Sequence, residues 1–399
     1  MSRSTSGAAA GRDIPARVLV CPDKFRGSLT AVQAAGALAG GLRAGGVSQP
    51  RTLPVADGGE GTVDCCLAAG FTEFRRRVTG AYGHPVPARI AIRGPVAVIE
   101  SAQACGLGEG THGPRAALSA TSFGVGELIR AALDAGCRRL IVGVGGTAST
   151  DGGAGLLQAL GARLSDRYGR PAAAPGGGGL AALERADLSE LDPRLAGCEL
   201  IAATDVDNPL LGARGAAAVF SPQKGADRQA QAQLERGLVK LAGLLDCSAV
   251  PRLSGRPGAG AGGGIAYALL RAGAQRASGA DTILEMLRFT DHASAADLVV
   301  TGEGSLDASS LGGKAPVTLA RTAHRLGTPV VAVAGRSTLT PRQQREAGID
   351  RVYQLLDLAG SADRSMRDAP LLLRRAGTDI AAWLAGRPGD STAPGRDSP

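Results

Sequence analysis

Four acidic turns, three of them glycine-bearing, stand directly after apolar runs in this sequence: Pro22-Asp23-Lys24-Phe25-Arg26-Gly27-Ser28, Ala56-Asp57-Gly58-Gly59-Glu60, Thr204-Asp205-Val206-Asp207-Asn208 and Thr301-Gly302-Glu303-Gly304-Ser305-Leu306-Asp307. In open parallel sheets the carboxyl ends of the strands are where ligands bind. Carboxylates there can hold Mg2+ or accept a hydroxyl proton. Glycine lets a phosphate approach the backbone, and Lys or Arg neutralises phosphoryl oxygens. One such turn alone is ordinary loop chemistry, because Asp and Gly are common turn residues. Their recurrence at one topological position is what points to phosphoryl transfer. A further stretch, Leu140 to Gly161, runs from a strand-like segment (140–144) through the polar glycine turn Gly145–Gly153 into an apolar helical run (154–160). Such a turn aims backbone N–H groups and a helix N-terminus at one point, which suits an anion. It is equally a tight turn that needs glycine only for its backbone shape.

Short motifs of other chemistries are missing or incomplete. Gly312-Gly313-Lys314-Ala315 lacks the upstream glycine and the hydroxyl residue of a P-loop. Gly258, Gly260 and Gly263 fit GxGxxG with no strand before them, a weak match. Gly143, Gly145 and Ala148 fit GxGxxA after a strand, but no suitably placed acidic residue follows about 20 positions on, which argues against a nicotinamide cofactor. There is no GxSxG turn, and His84, His112, His292 and His324 are scattered without zinc spacing. A metal, if used, should be oxygen-bound Mg2+.

The net charge of +8 comes from dispersed arginines with no basic block or interleaved aromatics, so a nucleic-acid partner is not expected. Only four of the 44 basic residues are lysines, and Lys24, Lys224 and Lys314 fall in glycine-bearing turns while Lys240 lies on a helix face. In an arginine-rich chain those lysines suit places that need a compact point charge. Seven cysteines, Cys21, Cys65, Cys66, Cys105, Cys137, Cys198 and Cys247, show no CxxC spacing and mostly sit in apolar runs. They read as reduced thiols of a cytoplasmic protein. No run reaches the length of a membrane span, so no membrane partner is expected.

The elements that would position these turns alternate. Strands are predicted at 16–21, 51–55, 140–144, 200–203, 297–301, 329–334 and 351–355, and helices at 29–45, 62–69, 122–135, 154–160, 228–245, 315–326, 342–347 and 370–384. Residues 74–79, 86–92 and 96–100 read as antiparallel strands between Gly/Pro turns, and 171–179, 255–264 and 302–313 as loops. Parallel patterns at both ends with a different middle suggest one α/β domain (16–70 and 290–386) carrying an inserted one (71–289), with a cleft between them as the natural ligand site. Residues 1–15 and 387–399 read as disordered tails.

At this point the residues reach a known family. The segments CPDKFRGSLTA (21–31), VADGGEGT (55–62), ESAQACGL (100–107), TSFGVGELI (121–129), the 140–161 stretch, TDVDNPLLGARGAAAVFSPQKGA (204–226) and TGEGSLDASSLGGKAP (301–316) occur in the order of its motifs. The chain resembles the bacterial glycerate kinases of the first type, the glycerate 2-kinases, over nearly its whole length. Three of its departures matter most. Arg26 stands for the family's Lys while Lys24 stands for Ser, Ser305 replaces an Arg, and Ser309 replaces a Gln.

The resemblance implies ATP-dependent, Mg2+-assisted phosphorylation of D-glycerate to 2-phosphoglycerate by two α/β domains, one a flavodoxin- or Rossmann-like parallel sheet and the other an inserted mixed sheet. On residue type and position, Asp205 or Asp207 would take or orient the glycerate hydroxyl proton, with Lys224 and Lys314 neutralising phosphate charge. Asp23, Lys24, Arg26, Ser28, Asn208 and the turn with Gly145, Gly146, Thr147, Ser149 and Asp151 would bind substrate or phosphate. Asp57, Glu60, Glu303 and Asp307 would be Mg2+ ligands. A monomer or homodimer is expected. The rival readings are a kinase for another small hydroxy or sugar acid, and a nucleotide-binding sensor without turnover.

Overall fold

The computed structural model describes residues 14–108, 113–171, 176–246 and 252–386. The expected tails, apart from residues 14 and 15, and Cys247 lie outside that set, as does part of the 171–179 loop. The chain divides into two compact units, one of residues 14–54, 291–307 and 320–386, the other of 55–290 and 308–319. Among the described residues no helix is long and apolar enough to cross a membrane.

The first unit is built on five parallel strands in the order Arg351–Gln354, Val330–Ser337, Leu298–Leu306, Val18–Pro22, Arg51–Thr52. Val18–Pro22 is buried along its whole length, as expected for a strand covered on both faces. Val18, Val20, Leu298, Val300, Val331 and Val333 form the core with Leu38, Leu373 and Ile380 from the helices Ala31–Ala44 and Ala369–Ala385. Helix Ala31–Ala44 starts on a capping box: Thr30 accepts from the Gln33 N–H, and the Gln33 side chain accepts from the Thr30 N–H. The strand expected to stop at Thr301 continues to Leu306, because its neighbour is long enough to pair with it through Leu306↔Ser337. Glu303 and Ser305 therefore sit on a strand, in what reads from sequence as a loop. The strand expected at 51–55 is only Arg51–Thr52.

The second unit holds a six-stranded mixed sheet in the order Gln275–Ala277, Glu199–Ala203, Arg139–Gly143, Val96–Glu100, Pro85–Arg93, Thr72–Thr79. The last three pair antiparallel, as expected from their alternation, and the first four run parallel. Register aligns Glu100 with Gly143, Gly143 with Ala203, and Ala203 with Ala277, so four strands end in one row. The expected glycine loop at 255–264 instead gives way to a helix, Ala261–Arg271, entered through three left-handed glycines, Gly262, Gly263 and Gly264. Only glycine adopts that backbone at low cost.

Helices Ala31–Ala44 and Ala369–Ala385 touch through glycine. A Cβ at Gly41 would overlap the Arg374 carbonyl oxygen, and one at Gly377 would come within 2.5 Å of the Leu38 carbonyl oxygen. Gly41→Ala should therefore force the two helices apart and cost on the order of 2 kcal/mol, the usual scale of overpacking. A melting temperature equal to that of the parent protein would contradict this.

Candidate active site

The row of strand ends in the second unit carries most of the expected site. Asp205 follows Glu199–Ala203, and its carboxylate accepts from the N–H groups of Gly279 (2.8 Å) and Ala280 (3.2 Å) at the start of helix Gly279–Met286. Burial raises the Asp205 carboxyl above its ordinary value and the charge of Asp57 adds to this, against hydrogen bonds from Ser278, Ala280 and Gly279. Asp57 in turn accepts from the Gly59 N–H at 3.1 Å. The loop that carries it lies on the row because two positions have no side chain. A Cβ at Gly279 would overlap the Asp57 carbonyl oxygen, and one at Gly143 would overlap that of Gly58.

Asp207 and Asn208 are used differently. Asp207 pairs with Arg276 at 2.6 Å on an exposed rim. The Asn208 side chain donates to the Arg214 carbonyl (2.8 Å), and the Asn208 backbone carbonyl accepts from the Gly260 N–H (2.9 Å). Of the two aspartates weighed as proton acceptor, only Asp205 joins Asp57 on the row.

The turn after strand Arg139–Gly143 has an outer and an inner part. On the outer part, a Cβ added at Gly145 would lie 3.1 Å from the Gly59 Cα, and one at Gly146 would lie 3.6 Å from the Ala102 Cβ. The turn is pinned by Leu107 N–H to the Gly146 carbonyl (2.8 Å) and Ala148 N–H to the Cys105 carbonyl (2.7 Å). Among the described residues the N–H groups of Gly145, Gly146 and Thr147 donate to no protein acceptor. The buried hydroxyls of Thr147 and of Ser101, which follows Glu100, are likewise without a protein partner among the described residues. Such N–H and hydroxyl groups suit an anion.

The inner part holds the turn itself. Asp151 is buried, and its carboxylate takes the Ser122 N–H (2.8 Å), the Ser122 hydroxyl (2.8 Å), the Gly153 N–H (3.0 Å) and the Gly155 N–H (3.2 Å). The Ser149 hydroxyl lies 3.9 Å from the Cys105 sulfur, and its carbonyl accepts from Lys224 Nζ at 2.5 Å. Lys224 is only 4% exposed. Burial lowers it to about 8, against the opposing effects of Cys105 and Asp151. Its ammonium thus supports the turn from within. Lys314 is half-buried next to the start of helix Ala315–Arg325, and its carbonyl accepts from Val317 and Thr318.

The first unit carries the remaining candidates at the carboxyl end of its parallel sheet. Asp23 is buried, its N–H bonded to the Gly302 carbonyl (2.8 Å), while Lys24 is half-buried and Arg26 exposed. Ser28 donates its N–H to the Phe25 carbonyl at 2.8 Å. Glu303 is buried on its strand, and the Ser305 hydroxyl donates to Asp307 at 3.0 Å.

The expected Mg2+ ligands divide accordingly, Asp57 and Glu60 in the second unit, Glu303 and Asp307 in the first. Among the described residues no group of three or more His, Cys, Asp or Glu side chains is gathered as a metal-binding cluster. Mg2+ needs no such group, because one or two carboxylates with phosphates and waters suffice. The charge of Asp57 adds to the raising of the neighbouring, largely buried Asp205 carboxyl, and a divalent cation would offset it, so Asp57 fits the ion.

Sequence reasoning missed several residues. Glu100 accepts from the N–H groups of Gly61 (3.1 Å) and Val63 (3.2 Å), and so fixes the Asp57–Glu60 loop from the neighbouring strand end. An acid directly after the run Val96–Ile99 was the available signal. Ser101 and Ser122 lie in the segments 100–107 and 121–129 that carry the family resemblance, but residue type gave them no role, and Gly279 gave no signal. Among the described residues six cysteines are free thiols, five of them buried, and burial pushes Cys66 and Cys105 up to about 12.

Because Lys224 titrates near 8 in the fold and near 10.5 when unfolded, the unfolded chain binds the extra proton between those values, and stability gains from Lys224 as pH rises through that window. The gain is on the order of 3 kcal/mol. Urea unfolding of the parent protein and of Lys224→Met between pH 7.5 and about 10.5 should show it as a difference that grows with pH. A pH-independent difference would contradict the burial of an ionisable ammonium.

Comparison with known proteins gives a consistent result. A model described as the glycerate kinase family matches residues 18–385. A Bacillus subtilis (strain 168) protein named glycerate kinase is 40% identical over 374 residues, covering 92% of this chain and 97% of its own. An Escherichia coli (strain K12) protein named glycerate 2-kinase is 40% identical over 374 residues, covering 92% and 98%. A crystal structure described as a candidate glycerate kinase 2 of Salmonella typhimurium LT2 is similar with a TM-score of 0.78 at 38% identity, covering 93% of this chain and 99% of that one.

Proposed function

Because this chain belongs to the glycerate kinase family, we propose that it transfers the γ-phosphoryl group of ATP to the C2 hydroxyl of D-glycerate, giving 2-phosphoglycerate and ADP. The observation that carries the reading is the Asp57–Asp205 pair beside the Gly145–Thr147 turn, where a carboxylate, open N–H groups and two buried hydroxyls stand at neighbouring strand ends.

In this reading the glycerate hydroxyl gives its proton to Asp205 while its oxygen bonds to the γ-phosphorus and the bond to the β–γ bridging oxygen breaks. Raised chiefly by burial, Asp205 is a better proton acceptor than an exposed carboxylate. It keeps acceptor capacity beyond the two backbone N–H groups that orient it. The N–H groups of Gly145 to Thr147 and the hydroxyls of Thr147 and Ser101 would hold a carboxylate or phosphoryl oxygen. Mg2+ held by Asp57 would supply charge neutralisation to the nucleotide phosphates. Positioning and charge are most of what phosphoryl transfer asks of a protein.

An assay with ATP, Mg2+ and D-glycerate, with ADP release coupled to an optical readout and the product assigned by NMR, tests the reaction. We expect 2-phosphoglycerate. A 3-phosphoglycerate product, or no ADP release with glycerate present, would overturn the reading. Asp205→Asn should lose at least about 10²-fold in kcat, as for a positioned general base, with an unchanged melting temperature. Near-normal turnover in that folded variant would remove Asp205 from the mechanism.

A further inference from the structure

The parallel sheet of the first unit reverses its order beside Val18–Pro22. From that strand the chain first adds Arg51–Thr52 on one side, and later builds outward from Leu298–Leu306 through Val330–Ser337 on the other. Ligands of open α/β sheets bind at the carboxyl ends of the strands, at such a reversal. The segments that stand there are the turn from Asp23 to Ser28 and the strand end from Glu303 to Asp307. The second is where the sequence departs from the motif it resembles, with Ser305 in place of an arginine.

The neighbouring strand holds an arginine at the matching level. Ser305 and Arg336 are register partners across two parallel strands, so their side chains leave the sheet on one face from backbones about 4.8 Å apart. Arg336 Nε donates to the Ser305 hydroxyl at 3.3 Å, and that hydroxyl donates to Asp307 at 3.0 Å. The Arg336 side chain is exposed, and among the described residues its terminal nitrogens donate to no protein acceptor. Arg276, Arg194 and Arg89, by contrast, are each committed to carboxylates. Held at one nitrogen, Arg336 keeps the outer edge of its guanidinium open for a paired oxygen acceptor.

We propose that Arg336 is an anion-binding residue of this kinase, its guanidinium displaced by one strand from position 305, and that it binds an anionic oxygen group, the substrate carboxylate or a nucleotide phosphate. The inference rests on the kinase reading above. Ser305 is the small residue that admits the arginine from the next strand and anchors its Nε.

The test is steady-state kinetics of the full chain as parent protein, Arg336→Ala, Arg336→Lys and the double variant Ser305→Arg/Arg336→Ser, with melting temperatures for each. Arg336→Ala should raise KM for one substrate by about tenfold or more, the scale of a lost charge-assisted contact, with a smaller change in kcat. A shift in the glycerate KM identifies the carboxylate, and a shift in the ATP KM the phosphate. Arg336→Lys should fall between, since it keeps the charge and loses the fork. The double variant should recover most of the loss, which a merely structural role for Arg336 would not allow. Unchanged KM values in Arg336→Ala, or a double variant as impaired as the single one, would overturn the inference alone. No turnover in the parent protein would overturn the kinase reading and this inference with it.

Discussion

The candidate site in the second unit depends on a close approach of backbone to backbone. The carbonyls of Asp57 and Gly58 point at two Cα atoms, those of Gly279 and Gly143, that carry no side chain. Those two glycines belong to different parts of the chain, one at the end of a central strand and one at the start of a helix. A methyl group at either would lift the loop and with it Asp57 and Glu60. Parallel register supplies the other half of the constraint, because it brings Glu100, Gly143, Ala203 and Ala277 level. Glu100 then ties the far side of the same loop through Gly61 and Val63. The carboxylate pair, the open turn and the helix start are thus consequences of a single packed layer.

Much of this architecture is legible in the sequence where a pattern is long or buried. The amphipathic helix Arg228–Leu245 and the alternating segments near 74–100 each carry a period that only one element satisfies, and the short apolar run 140–144 is read as a strand from its length and the glycine turn that follows it. Legibility fails where tertiary contact decides. Glu303, Gly304 and Ser305 have loop composition, yet the pairing of Glu303 with Ala334 and of Ser305 with Arg336 keeps them on a strand. Gly262, Gly263 and Gly264 read as a breaker, while the chain passes through them in left-handed backbone straight into a buried helix.

The site divides along the same line. Residue type and position suffice to gather Asp57, Asp205 and the Gly145–Thr147 turn, because chemistry at parallel strand ends is a topological rule. They do not separate groups that face a ligand from groups that hold the frame. Asp151 and Lys224 look in sequence like anion and phosphate partners, and in the fold they brace the turn from inside. The scarcity of lysine was a usable signal with a different meaning. A compact ammonium can enter a space where the five donors of a guanidinium would go unmet. Lys240 is an ordinary case, paired with Glu184 at 3.0 Å on the surface.

The seated loop has one more effect, on chemical ageing. Asp57–Gly58 and Asp151–Gly152 are Asp–Gly steps, the kind at which a mobile backbone nitrogen can close on the preceding carboxyl and isomerise the residue. In both, the fold denies the needed swing. The Asp57 peptide is wedged over two glycines, and the Asp151 carboxylate is held by four donors. The contacts that hold these two acids in place thereby also slow their conversion to isoaspartate, so damage should gather in molecules that have opened, a pattern that peptide mapping of aged native and urea-opened protein can resolve.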